Sequence, residues 1–338
     1  MRIALDAMGG DHAPGPIVAC AIRAAEAEPE LQIVLVGDQA RVEPLLPVGG
    51  VRSRLELFHS TQVIGMDEKP GKAMLRKPDN SIKRCYELLA SRKVDGIVSA
   101  GNTGAMVAGG HFLKLFLEGV HRPAIAAVLP SVKGPVVLLD VGANIQAKPE
   151  HLYQYAIMGS LYARSVLGVT SPRVGLMNVG EEEAKGHDLY REAHALLSQG
   201  PLRDRFAGNV EGRDIHQGQV DVIVCDGFVG NVLLKYCEGV FEFLLGVVHR
   251  DLVGKLDAER TLGEQACRDL AQRYHYSTYG GAPLLGVNGA CIICHGSSKE
   301  RAIMNALLAA ARYAREQLSE AIVKELRANP PSPIEAGV

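Results

Sequence analysis

Several short turns carry most of the residues that could do chemistry in this 338-residue chain. Each follows an apolar run and is made of Gly, Asn, Asp or Ser. Asp6 opens a turn through Gly9, Gly10, Asp11 and His12; Ser99 leads into Gly101-Asn102-Thr103-Gly104; Asp140 leads to Asn144. Asn178 begins a turn that ends at Lys185-Gly186, Asp226 leads to Asn231, and Cys294 precedes His295-Gly-Ser297-Ser298. Glycine lets a backbone approach an anion closely, and a following helix start adds a favourable partial charge. Asn102 and Thr103 add donors without charge. An ordinary strand-to-helix turn would use the same glycines, and on Gly101-Asn102-Thr103-Gly104 alone the two readings stand level. Any single Asp or Asn is most simply a helix cap; the same pattern in turn after turn points to a shared ligand.

The chemistry that suits such turns is the handling of a small oxyanion by mostly neutral donors. Phosphate is the natural candidate. Its dianion is already nucleophilic near neutral pH, by analogy with phosphomonoesters whose second pKa is about 6, so it needs positioning more than a base. Against a thioester, the departing thiolate has a pKa of about 8.5 and leaves readily. That reaction needs an anion cradle, a donor for the oxyanion and a cation for the gathering charge. Lys185 is the one lysine in these turns and is the expected cation. The competing reading makes it an exposed lysine that neutralises Glu181, Glu182 and Glu183.

The elements that position these residues alternate. The runs around Ile3–Asp6, Ile33–Gly37, Ile97–Ser99, Val136–Asp140, Val174–Asn178 and Val222–Asp226 are continuously apolar, as expected of parallel strands covered on both faces, and Ala290–Cys294 is strand-like. Helical stretches lie between them at Pro16–Glu28, Ser81–Ser91, Pro149–Leu167 and His187–Gln199. The pattern predicts an α/β fold, a mostly parallel sheet with helices on both faces. In such sheets the ligand crevice lies beyond the carboxyl ends of the strands, so Asp6, Asp11, Asn102, Asn144, Asn178, Lys185, Asp226 and Asn231 are expected to face one cleft. The segment Glu238–Val253 is apolar nearly all round a helix, and Glu259–Tyr274 is helical after a charged turn. Together they predict a helical hairpin over 238–275 that projects from a single unit spanning 1–328. A helix apolar all round must be buried somewhere; a dimer contact is the simpler reading, and contact of the hairpin tip with a membrane surface is the sharper one. A final helix is expected over Lys299–Arg327, and residues 329–338 read as a frayed tail.

Composition narrows the classes. Apolar residues make up 47% and charged residues 22%, as in a soluble globular protein, and the net charge of −2 argues against nucleic acid as a partner. No signal-peptide pattern and no membrane-spanning apolar run is read, which predicts a cytoplasmic protein. Seven scattered cysteines fit reduced thiols. Neither Gly71-Lys72 nor Gly254-Lys255 sits in a Walker A loop, no G-x-G-x-x-G follows a strand, and no G-x-S-x-G elbow occurs. Cys291-Ile-Ile-Cys294-His295 matches a haem-attachment pattern but reads as a buried strand. No cofactor and no metal is expected.

Taken in order, Asp6-Ala-Met-Gly-Gly-Asp11, Ser99-Ala-Gly-Asn-Thr-Gly-Ala105, Asp140-Val-Gly-Ala-Asn144, Ala147-Lys-Pro-Glu-His151, Asn178-Val-Gly-Glu with Lys185-Gly186, Asp226-Gly-Phe-Val-Gly-Asn231, Gly280-Gly-Ala and His295-Gly-Ser-Ser298 resemble the signature segments of the phosphate acyltransferase (PlsX) family. The match runs from Met1 to about Leu326. It implies an acyl-[acyl carrier protein]:phosphate acyltransferase of phospholipid synthesis, a homodimer, a peripheral association with the membrane, and a fold similar to the isocitrate/isopropylmalate dehydrogenase and phosphotransacetylase group. The family's catalytic lysine corresponds to Lys185. Two segments depart from the family's usual pattern. Arg76–Ser81 carries Pro78 and Asp79 where relatives are often more basic, and the hairpin tip carries Asp257 and Glu259. The expected catalytic residues are Lys185, Asn231 and Asp226. The expected phosphate or substrate contacts are Asp6, Gly9, Gly10, Asp11, His12, Gly101, Asn102, Thr103, Gly104, Asn144, Asn178, His295, Ser297 and Ser298. Two readings of other classes stay open: a scaffold that binds carrier protein without turnover, and an NAD-dependent oxidoreductase on the related fold.

Overall fold

The apolar runs form strands buried on both faces. The computed structural model describes residues 1–274, 280–298 and 300–331. It opens with β1 (Arg2–Asp6), α1 (Gly15–Ala27), β2 (Gln32–Gly37), α2 (Gln39–Val42), β3 (Leu55–His59), α3 (Pro70–Arg76), α4 (Ser81–Ala90), β4 (Gly96–Ser99) and α5 (Thr103–Phe112). It continues with β5 (Ala124–Ser131), β6 (Gly134–Leu139), α6 (Pro149–Ser165), β7 (Val174–Met177), α7 (Asp188–Gln199), β8 (Phe206–Val210) and β9 (Val222–Val224). It closes with α8 (Gly227–Asp251), α9 (Arg260–Tyr274), β10 (Ala282–Leu285), β11 (Ala290–Ile293), α10 (Glu300–Arg315) and α11 (Leu318–Ala328).

All eleven strands form one sheet in the order β3-β2-β1-β4-β11-β10-β5-β6-β9-β7-β8. Two parallel blocks flank an antiparallel centre. β3, β2, β1, β4 and β11 run together, as do β6, β9, β7 and β8. Between them β10 is antiparallel to both β11 and β5, and β5 is antiparallel to β6. The β5–β6 hairpin, with Ser131 paired to Gly134, therefore reverses the second block relative to the first. Successive residues of a strand face opposite sides. Ile3 and Leu5 thus pack in the layer with α1, α6 and α10, and Ala4 in the layer with α4 and α5. Helices cover both faces, as the continuous apolar runs predict.

Several elements were not legible as strands or breaks. β3, β5, β8 and β10 carry no uninterrupted Val/Ile/Leu run, and the expected last helix is divided at Gln317, which sits at φ 50° between α10 and α11. Lys299, residue 275 of the expected hairpin and positions 332–338 of the expected tail lie outside the described residues. The long hairpin helix starts at Gly227, earlier than its apolar face suggests, because Asp226 caps it: Oδ1 accepts from the Phe228 and Val229 N–H groups at 2.9 and 3.0 Å. α8 packs on α9, and its Tyr236, Phe243 and Leu244 are exposed. No helix among the described residues is long and apolar enough to cross a membrane.

Candidate active site

The reversal in the centre of the sheet divides the strand-end turns into two sets. The turns after β1, β4 and β11 emerge at one end of the strands; those after β6, β7 and β9 emerge at the other. The expected single rim is corrected on this point, and the physical reason is the β5–β6 hairpin.

The first set is built on Asp6, whose carboxylate is buried. Ser99 Oγ donates to Asp6 Oδ2 at 2.6 Å, the Met8 N–H donates to Oδ1 at 3.1 Å, and the Gly101 N–H donates to Ser99 Oγ at 3.0 Å. Burial raises the Asp6 pKa, and hydrogen bonds from Ser99, Ser81, Met8 and Gly9 oppose the rise. A Cβ on Gly9 would lie 2.6 Å from Asp6 Oδ2 and 2.7 Å from the Gly101 nitrogen, so only glycine lets the two turns touch. The Asp11 N–H donates to the Gly296 carbonyl at 2.9 Å, which joins the turn after β11 to the same set. His295 Nδ1 lies 2.7 Å from Ser297 Oγ and accepts from the Ser297 N–H at 3.2 Å. Asp11, His12, Thr103, His295 and Ser297 are exposed here, and Ser298 is half-buried.

Asn102 is not a spare donor. Its Oδ1 accepts from the Ala105 N–H at 3.0 Å and caps α5, while Nδ2 donates to the carbonyls of Gly65, Met66 and Glu68 at 3.0, 3.2 and 3.1 Å. Two amide protons already face three acceptors, so the side chain fastens the 65–68 loop to the helix start. Gly104 is small for packing: a Cβ there would collide with Pro70 of α3. In these two positions the structure favours the plain-turn reading.

The second set is organised by Asp140, fully buried and with a pKa raised by that burial. Its Oδ1 accepts from the N–H groups of Ile125, Gly142 and Ala143 at 3.0, 3.2 and 3.0 Å, and its Oδ2 from the Asn144 N–H at 2.7 Å. Asn144 Nδ2 donates to the Pro123 carbonyl at 2.6 Å and to Asp140 Oδ2 at 3.2 Å, so this amide too is committed within the turn. The Asn144 carbonyl accepts the Gly227 N–H at 2.8 Å, docking the start of α8 on the turn. Gly230 presses against the Asp140 carbonyl so closely that no Cβ fits, and a Cβ on Gly142 (φ 135°) would lie 3.8 Å from the Asn231 side chain. Asn231 is exposed on the first turns of α8, facing that glycine turn.

The Lys185 loop joins the same set. Asn178 Nδ2 donates to the Lys185 carbonyl at 3.1 Å, and Asn178 Oδ1 accepts from the Val179 N–H at 2.9 Å, so one amide clamps both ends of the loop. Gly186 sits at φ 81°, where a Cβ would meet Asn178 Oδ1 at 2.6 Å and Tyr190 Cβ at 3.2 Å. Tyr190 OH donates to Asp226 Oδ2 at 2.7 Å. Tyr190 thus ties the helix after the Lys185 loop to the cap of α8, on whose first turns Asn231 stands. Lys185 itself is half-exposed, with Nζ 3.7 Å from Glu182 Oε1; the neutralising role and an open ammonium face coexist. Burial and the bond to Asp226 raise the Tyr190 pKa, so this hydroxyl stays a donor at neutral pH.

Sequence reasoning marked Asp140 as the start of a turn, as it did Asp6 and Asp226, but did not count it among the site residues, and it missed Tyr190, which lies inside a helix with no local mark. A further group sits at the start of α6. Ligand-type atoms of His121, Glu150 and His151 lie within 4.8 Å of one another. His151 Nδ1 accepts from the Lys148 N–H at 3.1 Å, which leaves the proton on Nε2 and opposes metal ligation there. Burial lowers the His151 pKa, Glu150 opposes the shift, and His121, Arg122 and Lys148 lower it further; Arg122 and Lys148 place cations here that the strand-end turns did not disclose.

Comparison with known proteins follows the same lines. Residues 1–321 match the family model described as fatty acid synthesis protein. A protein named phosphate acyltransferase from Heliobacterium modesticaldum is 49% identical over 339 residues, covering 99% of each chain. Another of that name, from Desulfitobacterium hafniense strain DCB-2, is 48% identical and covers 96% of this chain and 98% of its own. Among solved structures, a phosphotransacetylase from Streptococcus pyogenes superposes with a TM-score of 0.63 at 17% identity, covering 94% of both chains. A branched-chain phosphotransacylase from Enterococcus faecalis V583 gives 0.58 at 14% identity, over 93% of this chain and 99% of that one. These two establish the fold. With the family model spanning nearly the whole chain, and relatives near half identity doing the same, the chain belongs to the phosphate acyltransferase family of fatty acid synthesis proteins.

Proposed function

We propose that the protein transfers an acyl group from the thioester of acyl carrier protein to inorganic phosphate, giving acyl phosphate and free carrier thiol. The observation that carries the reading is the second set of turns. There an ammonium stands on a loop clamped by Asn178, and Tyr190 with Asp226 joins the helix after that loop to the start of the helix that carries Asn231. A phosphate oxygen attacks the thioester carbonyl carbon, negative charge gathers on the carbonyl oxygen, the C–S bond breaks, and the thiolate leaves to take a proton from solvent. Lys185 offsets the gathering charge and Asn231 supplies a neutral donor. Asp226 acts one step back: it caps α8 and, through Tyr190, fixes where Asn231 and the loop stand to each other. No covalent enzyme intermediate is required.

The first set has the exposed side chains Asp11, His12, Thr103, His295 and Ser297 around a close-packed glycine turn, and it serves as a second contact for the substrate. A carrier protein is large enough to touch both sets. The exposed apolar positions on α8, Phe243 above all, fit a contact with a second copy of the chain, and the reading includes a homodimer working in the cytoplasm with peripheral membrane contact. The test is incubation with acyl-acyl carrier protein and phosphate. Free carrier thiol should appear in proportion to phosphate, and its absence would end the reading.

A further inference from the structure

A cluster of cations and imidazoles sits where α6 begins, and the transfer as described leaves it idle. His121 and Arg122 come from the segment that leads into β5; Lys148 is the N-cap of α6 and His151 lies in its first turn. The His121 and His151 rings stand 6.2 Å apart, edge to face. Gln154, buried further along α6, holds the arrangement: its Oε1 accepts from the His121 N–H at 2.9 Å, and its Nε2 donates to the Gly119 carbonyl at 2.7 Å. We propose that this cluster seats the inorganic phosphate and that Arg122 grips it. The proposal rests on the acyl-transfer reading above and supplies a binding site for its nucleophile.

Three observations carry it. The first is charge out of balance. Positive side chains are unfavourable at the positive end of a helix, yet Arg122 and Lys148 both stand close to His151 at this one. Glu150, the carboxylate of the group, lies 3.9 Å from Lys148. The Arg122 side chain is exposed and makes no ion pair or hydrogen bond among the described residues. A phosphate dianion offsets that surplus, and a planar guanidinium holds two of its oxygens at once. The second is a fixed donor. His151 Nδ1 accepts the Lys148 N–H at 3.1 Å, and burial keeps the ring neutral, so Nε2–H remains to donate. The third is place. Asn144 Nδ2 donates to the carbonyl of Pro123, the residue after Arg122, and the Asn144 carbonyl accepts from Gly227 at the start of α8. Two hydrogen bonds thus link the strand that carries Arg122 to the helix that carries Asn231. Tyr155, one turn beyond His151, has a fully buried hydroxyl with no hydrogen-bond partner among the described residues. Burial raises its pKa, Asp140 adds to the rise, Arg122 opposes it, and Cys225 and Asp226 add again. The cluster and the α8 cap therefore border the same phenol.

The experiment uses the full chain and the variants Arg122→Gln, Arg122→Lys and Lys148→Gln. Thiol release is measured at constant ionic strength while phosphate and acyl carrier protein are varied in turn. Inorganic phosphate is also titrated into each protein by calorimetry. Arg122→Gln should raise the KM for phosphate by about tenfold or more, the loss of a charged hydrogen bond, and abolish the heat of phosphate binding. The KM for acyl carrier protein should stay within about twofold. Arg122→Lys should recover only part of the loss, because an ammonium cannot make two parallel bonds. Thermal unfolding should not move, since Arg122 is exposed and unpaired; Lys148→Gln, which should also raise the phosphate KM, gives the reading if it does. Phosphate constants equal to wild type in both glutamine variants overturn the proposal and leave the acyl-transfer reading standing. A raised KM for the carrier alone assigns the cluster to an anionic group of the carrier and overturns the proposal too. If wild type releases no thiol but binds phosphate, and Arg122→Gln does not bind it, the transfer reading falls and the phosphate site survives.

Discussion

At the scale of single residues, the site separates side chains that act from side chains that hold. Lys185 and Asn231 are exposed enough to meet a ligand; Asp140, Asn144 and Asn102 are occupied by their own turns. Lys185→Ala should lower turnover by about a hundredfold or more, the usual cost of removing one transition-state donor, with thermal unfolding unchanged. A variant that fails to fold would make Lys185 structural instead. Gly186→Ala places a side chain at φ 81° against Asn178 and should cost roughly 1–2 kcal/mol together with most of the activity, read by denaturation and thiol release. His295→Ala in the first set should raise KM with little change in kcat, since it removes binding and not charge stabilisation. The buried acid Asp6 gives a pH test. Its folded pKa is raised by burial, so the native state keeps a proton that the unfolded chain has lost. Ionised Asp6 therefore opposes folding above the raised pKa, and the group favours the fold increasingly as pH falls from there toward its ordinary value of 3.8. Ser99 donates to the charged form, and Ser99→Ala should cost about 1–2 kcal/mol at neutral pH and less as pH falls toward 3.8. A penalty that stays constant over that whole range, from denaturation along a pH series, would show that Asp6 does not titrate in the folded state there.

At the scale of elements, α8 matters most. It begins at a cap that belongs to the site, presses its first turn on the Asp140 carbonyl, and carries Asn231. Gly230→Ala touches no ligand, yet it should displace the helix start and cost about 1–3 kcal/mol, the range for overpacking a close contact. Urea denaturation checks the cost, and a loss of thiol release larger than the stability loss would confirm that α8 positions the site. The continuous apolar strands and the Asp or Asn that ends each one were legible because burial on both faces and helix capping leave local marks. β5 was not legible. Its Ala124-Ile-Ala-Ala-Val sequence has few large branched residues, and Pro130 and Pro135 flank the turn, so nothing local announces that it pairs antiparallel with β6. That the amides of Asn102 and Asn144 are committed within the fold was not legible for a related reason: their partners at 65–68 and at Pro123 are distant in the chain, and only folding brings them together.

For the whole molecule, one hairpin decides the layout. Because β5–β6 turns the second block round, the strand-end turns that look alike in sequence emerge as two sets, and Lys185, Tyr190, Asp226 and Asn231 gather in one of them. The exposed face of α8 is a further whole-molecule feature. If the proposed homodimer forms through this face, Phe243→Asp should shift sedimentation from dimer to monomer; an unchanged dimer would place the interface elsewhere. The most direct test of the account is phosphate-dependent release of free thiol from acyl carrier protein, measured side by side for wild type and Lys185→Ala. The account predicts release by wild type that rises with phosphate and saturates, and a loss of about a hundredfold in the variant. Equal phosphate-dependent release by both proteins would contradict it, since the chemistry would then proceed without the one cation the clamped loop exists to hold.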